Sequence, residues 1–137
     1  MKSLNAKLMA LAATLAIAAA NASAQTILKV SVPFSFRTTV GGTMQPGDYR
    51  IYRDGNRWTF RNMDSNQQTM AQATASVEAK AKDQPSLVFE CRANRCTLSR
   101  VVTGHGDIGG YWAPNRGKSD ANELAQIVVV PGTLIAR

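Results

Sequence analysis

The chain has 137 residues, of which 18% are charged and 45% hydrophobic; 16 Lys and Arg face 9 Asp and Glu, a formal net charge of +7. That length holds one small domain with a modest core and excludes a catalytic domain plus a second module. One histidine and two cysteines fall short of the four ligands a zinc site usually needs, and no phosphate-cradling loop, dinucleotide fingerprint or calcium loop occurs.

The first element is a leader. Lys2 and Lys7 flank the start, the apolar run Leu8 to Ala20 follows, and Asn21-Ala22-Ser23-Ala24 sets small residues where a signal peptidase reads them. The run is well short of the roughly 20 residues that cross a bilayer. The pattern predicts a cleavable signal over residues 1–24 and a single exported domain over 25–137. That domain has no transmembrane segment and is periplasmic or secreted. Lys2 and Lys7 leave with the leader, so the mature part keeps 14 basic against 9 acidic residues, a charge of +5.

Beyond the leader the dominant period is two. Leu28, Val30, Val32, Phe34 and Phe36 alternate with Lys29, Ser31, Pro33 and Ser35, the pattern of a half-buried strand. Pro33 lacks an amide donor and predicts an edge position or a bulge. Gln45-Pro46-Gly47-Asp48 reads as a type II turn. Tyr49-Arg50-Ile51-Tyr52-Arg53 and Asn56-Arg57-Trp58-Thr59-Phe60-Arg61 then flank Asp54-Gly55, a strong hairpin signal. With Asp54-Gly55 as the loop, Ile51 pairs with Trp58 and Tyr49 with Phe60. One face then carries Tyr49, Ile51, Trp58 and Phe60, and the other Arg50, Tyr52, Arg57, Thr59 and Arg61. A one-residue slip would drive arginine into the core, so burial dictates which side each residue takes.

From Thr69 to Lys80, Ala71, Ala73, Ala75, Val77 and Ala79 alternate with polar residues. Alanine itself favours helix, but the period favours strand. Leu87 to Cys91 and Cys96 to Val102 form a further pair of runs. The tract Thr103 to Asn122, rich in glycine and polar residues, is read as a functional loop. Ile127 to Val130 is a closing strand ended by Pro131-Gly132, with Leu134-Ile135 adding a last short pairing. The sum is one all-β domain, a small antiparallel β-sandwich or a partly closed β-barrel.

Cys91-Arg92-Ala93-Asn94-Arg95-Cys96 predicts a two-residue turn at Ala93-Asn94. Cys91 and Cys96 then form the second pair from the turn, a non-hydrogen-bonded pair whose Cα atoms approach within disulfide range. Phe89 would face Leu98 on the same side. An oxidising compartment makes the bond available. The C-x-x-C spacing of a redox pair is absent.

Functional signals are sparse. His105, Asp107, Tyr111 and Trp112 lie in the glycine-rich tract and form a candidate ligand-binding loop. His105 and Asp107 stand two apart, so a base with an orienting carboxylate is conceivable, yet no nucleophile-elbow sequence accompanies them, and no catalytic residue is assigned. Tyr111 and Trp112 either stack on a flat ligand or cover an open end of the barrel. Arg50, Tyr52, Arg57 and Arg61 form a candidate surface for an anionic partner. A nucleic-acid groove would add several stacking aromatics to such a cationic face; here the aromatics fall mainly on the opposite side. No cofactor and no metal are indicated.

Val32-Pro33-Phe34-Ser35-Phe36 with Gly41-Gly42, and Gln45-Pro46-Gly47-Asp48-Tyr49-Arg50-Ile51, resemble a family of small exported β-rich proteins common in acidobacteria and related soil bacteria. Leu87-Val88-Phe89, Leu98-Ser99 and Lys118 to Glu123 look like later segments of that family. Cys91, Cys96 and the segment after Ile127 depart from its pattern. The resemblance implies export and a β domain; the family brings no activity or catalytic residues. The leading expectation is therefore a non-enzymatic exported domain with a structural or interaction role at the cell envelope. Its partner would be an envelope polymer, a protein or a second copy of itself. The alternative is a small-ligand or carbohydrate-binding module using Gly104 to Trp112, and a small hydrolase is a distant third.

Overall fold

The computed structural model describes residues 26–39, 42–104, 107–114 and 124–136. The expected leader, His105 and most of the segment between Trp112 and Leu124 lie outside these residues. Eleven strands make up the described chain: β1 (Thr26–Val32), β2 (Phe36–Arg37), β3 (Thr43–Met44), β4 (Gly47–Asp54), β5 (Arg57–Asn62), β6 (Gln68–Gln72), β7 (Ala75–Glu78), β8 (Ser86–Arg92), β9 (Arg95–Val102), β10 (Ile108–Tyr111) and β11 (Gln126–Ala136). They form one sheet in the order β3-β2-β9-β8-β11-β1-β4-β5-β6, with β10 joined to β9 and β7 joined to β10. The sheet curls into an open half-barrel, an all-β architecture as the alternation predicts. Every pairing is antiparallel except the short contact of β2 with β9 through Arg37 and Thr97.

The concave side holds the core. Leu28, Val30 and Val32 of β1, Tyr49 and Ile51 of β4, and Trp58 and Phe60 of β5 are all buried. Two aromatic groups fill the interior. Phe36 contacts Tyr49 and Phe89 at ring-centroid distances of 5.3 and 5.1 Å, and Phe34 meets Phe89 edge-on at 5.0 Å. In the second group Trp112 lies edge-to-face against Trp58 at 6.2 Å and Phe60 at 5.9 Å. Such edge contacts place the positive rim of one ring on the negative face of the next.

Four sequence expectations need correction. The β4–β5 pairing runs Asp54↔Arg57, Tyr52↔Thr59, Ile51↔Phe60, Tyr49↔Asn62, so the loop is Gly55-Asn56 rather than Asp54-Gly55. Gly55 has φ +62°, and glycine at the first loop position is the type II′ preference. Each β4 residue meets a partner two places further along β5 than expected. A shift of two preserves the side-chain alternation, and the expected faces survive. Pro33 marks neither an edge nor a bulge: β1 is flanked by β4 and β11 and ends at Val32, so the missing donor falls beyond the ladder. Gly47, expected in a turn, is the first residue of β4 and pairs with Val32.

The fourth correction concerns the C-terminal half. The glycine-rich tract contains β10, and β11 is continuous through Pro131-Gly132 where two short pieces were expected. Residues 126–131 of β11 pair with β8, and the following residues pair with β1, Gly132 opposite Val30. A Cβ on Gly132 would lie 2.5 Å from Val30 Cγ2, so only glycine allows this close crossing from one partner to the next. The segment 68–78 is extended, as its period implies, divided into β6 and β7 by Ala73-Thr74.

The second hairpin forms as its cysteine spacing predicts. Cys91 pairs with Cys96, Arg92 with Arg95 and Phe89 with Leu98. A disulfide joins Cys91 and Cys96 across a Cα separation of 4.0 Å, and Ala93 takes φ +51° in the turn. Cys91 belongs to the buried cluster with Phe89 and Leu98, so the bond closes one end of the core face.

Candidate functional site

The candidate residues separate onto two surfaces of the half-barrel. Trp112 belongs to the interior: it is 2% exposed, and no acceptor meets its Nε1 among the described residues. The ring, expected either to stack on a ligand or to cover an open end of the barrel, packs in the core against Trp58 and Phe60. Tyr111 and Asp107 are half-buried at the two ends of β10. Hydrogen bonds from Ala79 N to Asp107 O (2.9 Å), from Thr74 N to Tyr111 O (2.8 Å) and from Trp112 N to Ser99 O (2.9 Å) hold this segment between its neighbours. Gly109 and Gly110 make that position available: a Cβ on Gly109 would lie 2.2 Å from Val101 O, and one on Gly110 2.7 Å from Trp58 Nε1. Gly109 therefore serves close approach to the neighbouring strand backbone, and Gly110 close packing over the two tryptophans. The expected partner of Asp107, His105, lies outside the described residues. Among the described residues no three His, Cys, Asp or Glu side chains gather to hold a metal ion.

Arg50, Tyr52, Arg57 and Arg61 share the convex face, and the registers order them into rows running across the strands. Lys29 of β1 stands opposite Arg50 of β4, and Arg50 opposite Arg61 of β5. Thr133 of β11 extends the row beyond Lys29, and Gln68 of β6 extends it beyond Arg61. Adjacent strands lie about 4.8 Å apart, so three cationic side chains are carried within roughly 10 Å. The neighbouring row is Ile27, Tyr52, Thr59 and Met70, neutral and partly apolar. Arg57 lies one row further, opposite Asp54 and Gln72, where a carboxylate accompanies it.

Like charges placed directly opposite on adjacent strands are destabilising, and this row contains no acid. The nearest carboxylate along β4, Asp48, accepts a hydrogen bond from Ser31 Oγ. Arg61 donates through Nη2 to the neutral Asn66 Oδ1 at 3.3 Å, which orients the guanidinium without cancelling its charge. Such a row can receive two or three anionic groups at once, with the Arg50 and Arg61 forks suited to bidentate carboxylate or phosphate contacts. Sequence reasoning found Arg50 and Arg61 but missed Lys29 and missed the alignment. The outward phase of Lys29 was visible, whereas the pairing of β1 with β4, and the two-place shift that sets Arg50 against Arg61, were not.

A second polar constellation is structural. Asn62, fully buried, points Nδ2 at Pro46 O (3.2 Å), Gln45 O (3.3 Å) and Tyr49 Oη (3.2 Å). Its Oδ1 accepts from Asp64 N (2.9 Å) and Ser65 N (3.1 Å). Tyr49 donates its hydroxyl to Gln45 O. Burial raises the Tyr49 pKa above its ordinary value, opposed in part by the hydrogen bond from Asn62. This knot ties the start of β4 to the turn after β5.

Among the described residues no helix is long and apolar enough to cross a membrane. Comparison with known proteins finds no matching family model, no matching curated protein and no matching solved structure.

Proposed function

We propose that this chain is an exported, non-enzymatic β domain that acts by binding at the cell envelope, in the periplasm or after secretion. The observation that carries the reading is the cross-strand row Lys29–Arg50–Arg61 on the convex face. It places three like charges side by side where alternation would allow neutral residues, an arrangement that an anionic partner relieves. The signal-like leader and the Cys91–Cys96 bond are in keeping with an oxidising compartment. So is the resemblance of residues 32–51 to exported β-rich proteins. The interior supports this choice over a small-ligand module, because Trp112 is committed to packing against Trp58 and Phe60.

Expression of the full chain in a Gram-negative host followed by fractionation tests the reading. The expected product begins at Gln25, carries no free thiol and sediments with envelope fragments at low ionic strength. It is released by about 0.5 M NaCl, at which exposed charges are screened beyond a few ångströms. Recovery from the cytosol with the leader intact, or a product equally soluble at every salt concentration, would refute it.

A further inference from the structure

Within that envelope-binding reading, we infer that the Lys29–Arg50–Arg61 row is the docking strip for a linear, carboxylate-bearing polysaccharide. The row runs around the half-barrel, perpendicular to the strands, and has a hydrogen-bonding residue at each end, Thr133 and Gln68. Its centre supplies one ammonium and two guanidinium groups in register. Guanidinium forks match carboxylates bidentately, and terminal hydroxyl and amide groups match sugar hydroxyls. The adjacent row adds Tyr52 and Thr59 directly opposite each other, an aromatic body and hydroxyls beside the charges. An acidic glycan offers the complementary set: repeating carboxylates, hydroxyls and an uncharged ring.

Two other polyanions fit less well. A bilayer is flat on this scale, whereas the face is the outside of a curled sheet. Interfacial binding also needs exposed apolar side chains beside the cations. The most exposed aliphatic residues of the sheet, Ile127 and Val129, lie instead over β11, opposite β8, while Met63, Met70 and Ile135, the exposed apolar side chains nearest the cations, stand at the margins of the row rather than within it. Single-stranded nucleic acid uses several stacking aromatics, and Tyr52 is alone.

The test uses the mature chain, residues 25–137, with polygalacturonate as the probe. Neutral dextran, oligo(dT) and phosphatidylcholine–phosphatidylglycerol vesicles (about 3:1) serve as comparisons in low salt. The variants are Lys29→Gln, Arg50→Gln and Arg61→Gln, singly and together. Arg100→Gln, an exposed arginine of β9, lowers net charge equally on the other half of the sheet. Polygalacturonate should bind, dextran should not, and the triple variant should lose at least tenfold in affinity while Arg100→Gln changes it less than twofold. Thermal midpoints of the row variants should equal or exceed that of the parent, since like-charge contacts are removed; a loss of binding then cannot be ascribed to unfolding. Equal loss in Arg100→Gln, unchanged binding in the triple variant, or preference for vesicles or oligo(dT) would overturn the inference. If the triple variant is no longer retained on envelope fragments although polygalacturonate never bound, the glycan class fails while the envelope reading stands. If retention is also independent of the row, both fail.

Discussion

Removal of the Asn62 side chain is the sharpest test of how this half-barrel is held together, because Gly47 offers an independent handle on the same contacts. Asn62→Ala leaves Pro46 O and the Asp64 and Ser65 amides without their present partners. Unsatisfied buried polar groups cost about 1–3 kcal/mol each and partly exposed ones less, so the expected loss is about 3 kcal/mol. That is a large part of the total stability of a small domain, about 5–15 kcal/mol. Gly47→Ala attacks from the other side: a Cβ there would lie 2.7 Å from Asn62 Oδ1, 2.8 Å from Asn62 Nδ2 and 2.9 Å from Asp64 Oδ2. Overpacking of this kind costs about 1–3 kcal/mol. In the double variant the two clashes with Asn62 vanish, so its destabilisation should fall short of the sum by about 1 kcal/mol or more. Urea unfolding followed by the fluorescence of the buried Trp58 and Trp112 provides the assay. With a slope of about 1.5 kcal/mol/M, Asn62→Ala should lower the midpoint by about 2 M without changing the slope. A loss below about 0.5 kcal/mol for Asn62→Ala, within the ordinary range for a surface substitution, would refute the reasoning. So would strict additivity of the two substitutions.

Three further outcomes are expected. Reducing the Cys91–Cys96 bond, or replacing both cysteines with alanine, reopens a six-residue loop and should cost about 2 kcal/mol, read as a lower urea midpoint in the presence of reductant. The Tyr49 hydroxyl has a raised pKa in the fold; its stabilising effect is complete below the ordinary tyrosine value of about 10 and is lost as pH climbs through the raised one. Thermal midpoints should therefore fall more steeply above pH ~10 in the parent than in Tyr49→Phe. Gly110→Ala would set a methyl 2.7 Å from Trp58 Nε1 and 3.0 Å from Trp112 Cη2. It should destabilise by about 1–3 kcal/mol and alter the near-ultraviolet circular dichroism of the tryptophans, whereas Gly55→Ala, with open space around its Cβ, should leave that spectrum unchanged.

Alternation alone placed Tyr49, Ile51, Trp58 and Phe60 inside and Arg50, Tyr52, Arg57 and Arg61 outside, because exchanging the two sets would bury arginine. The six-residue cysteine hairpin was legible for a similar local reason: its turn length dictates which residues meet. What stayed hidden depends on contacts far apart in the chain. Gly109 and Gly110 look like loop residues until Val101 O and the two tryptophans press against them. Pro131-Gly132 looks like a stop until Val30 is seen beneath Gly132, and the Gly132 amide is found donating to Pro85 O at 2.8 Å. The loop between β4 and β5 lies one residue later than Asp-Gly chemistry suggests, and that later start brings Asn62 opposite Tyr49. The cationic row was unreadable for the same reason, since side-chain phase says which face Lys29 takes but not which strand lies beside it.

The path of β11 has a consequence for assembly. Among the described residues β1 and β8 have no ladder to each other; β11 joins them, taking β8 with its first half and β1 with its second. It is also the last of the eleven strands in chain order. Until it arrives, β1 and β8 each present an open edge of backbone donors and acceptors, the two halves meeting through the Ala73-Thr74 connection and the tryptophan contacts, and joining β1 to β11 must close a loop of nearly the whole domain, which slows folding. A chain halted before Gln126 thus loses two ladders for the lack of one segment, and both open seams fit the same donor strand, including one supplied by a neighbouring molecule.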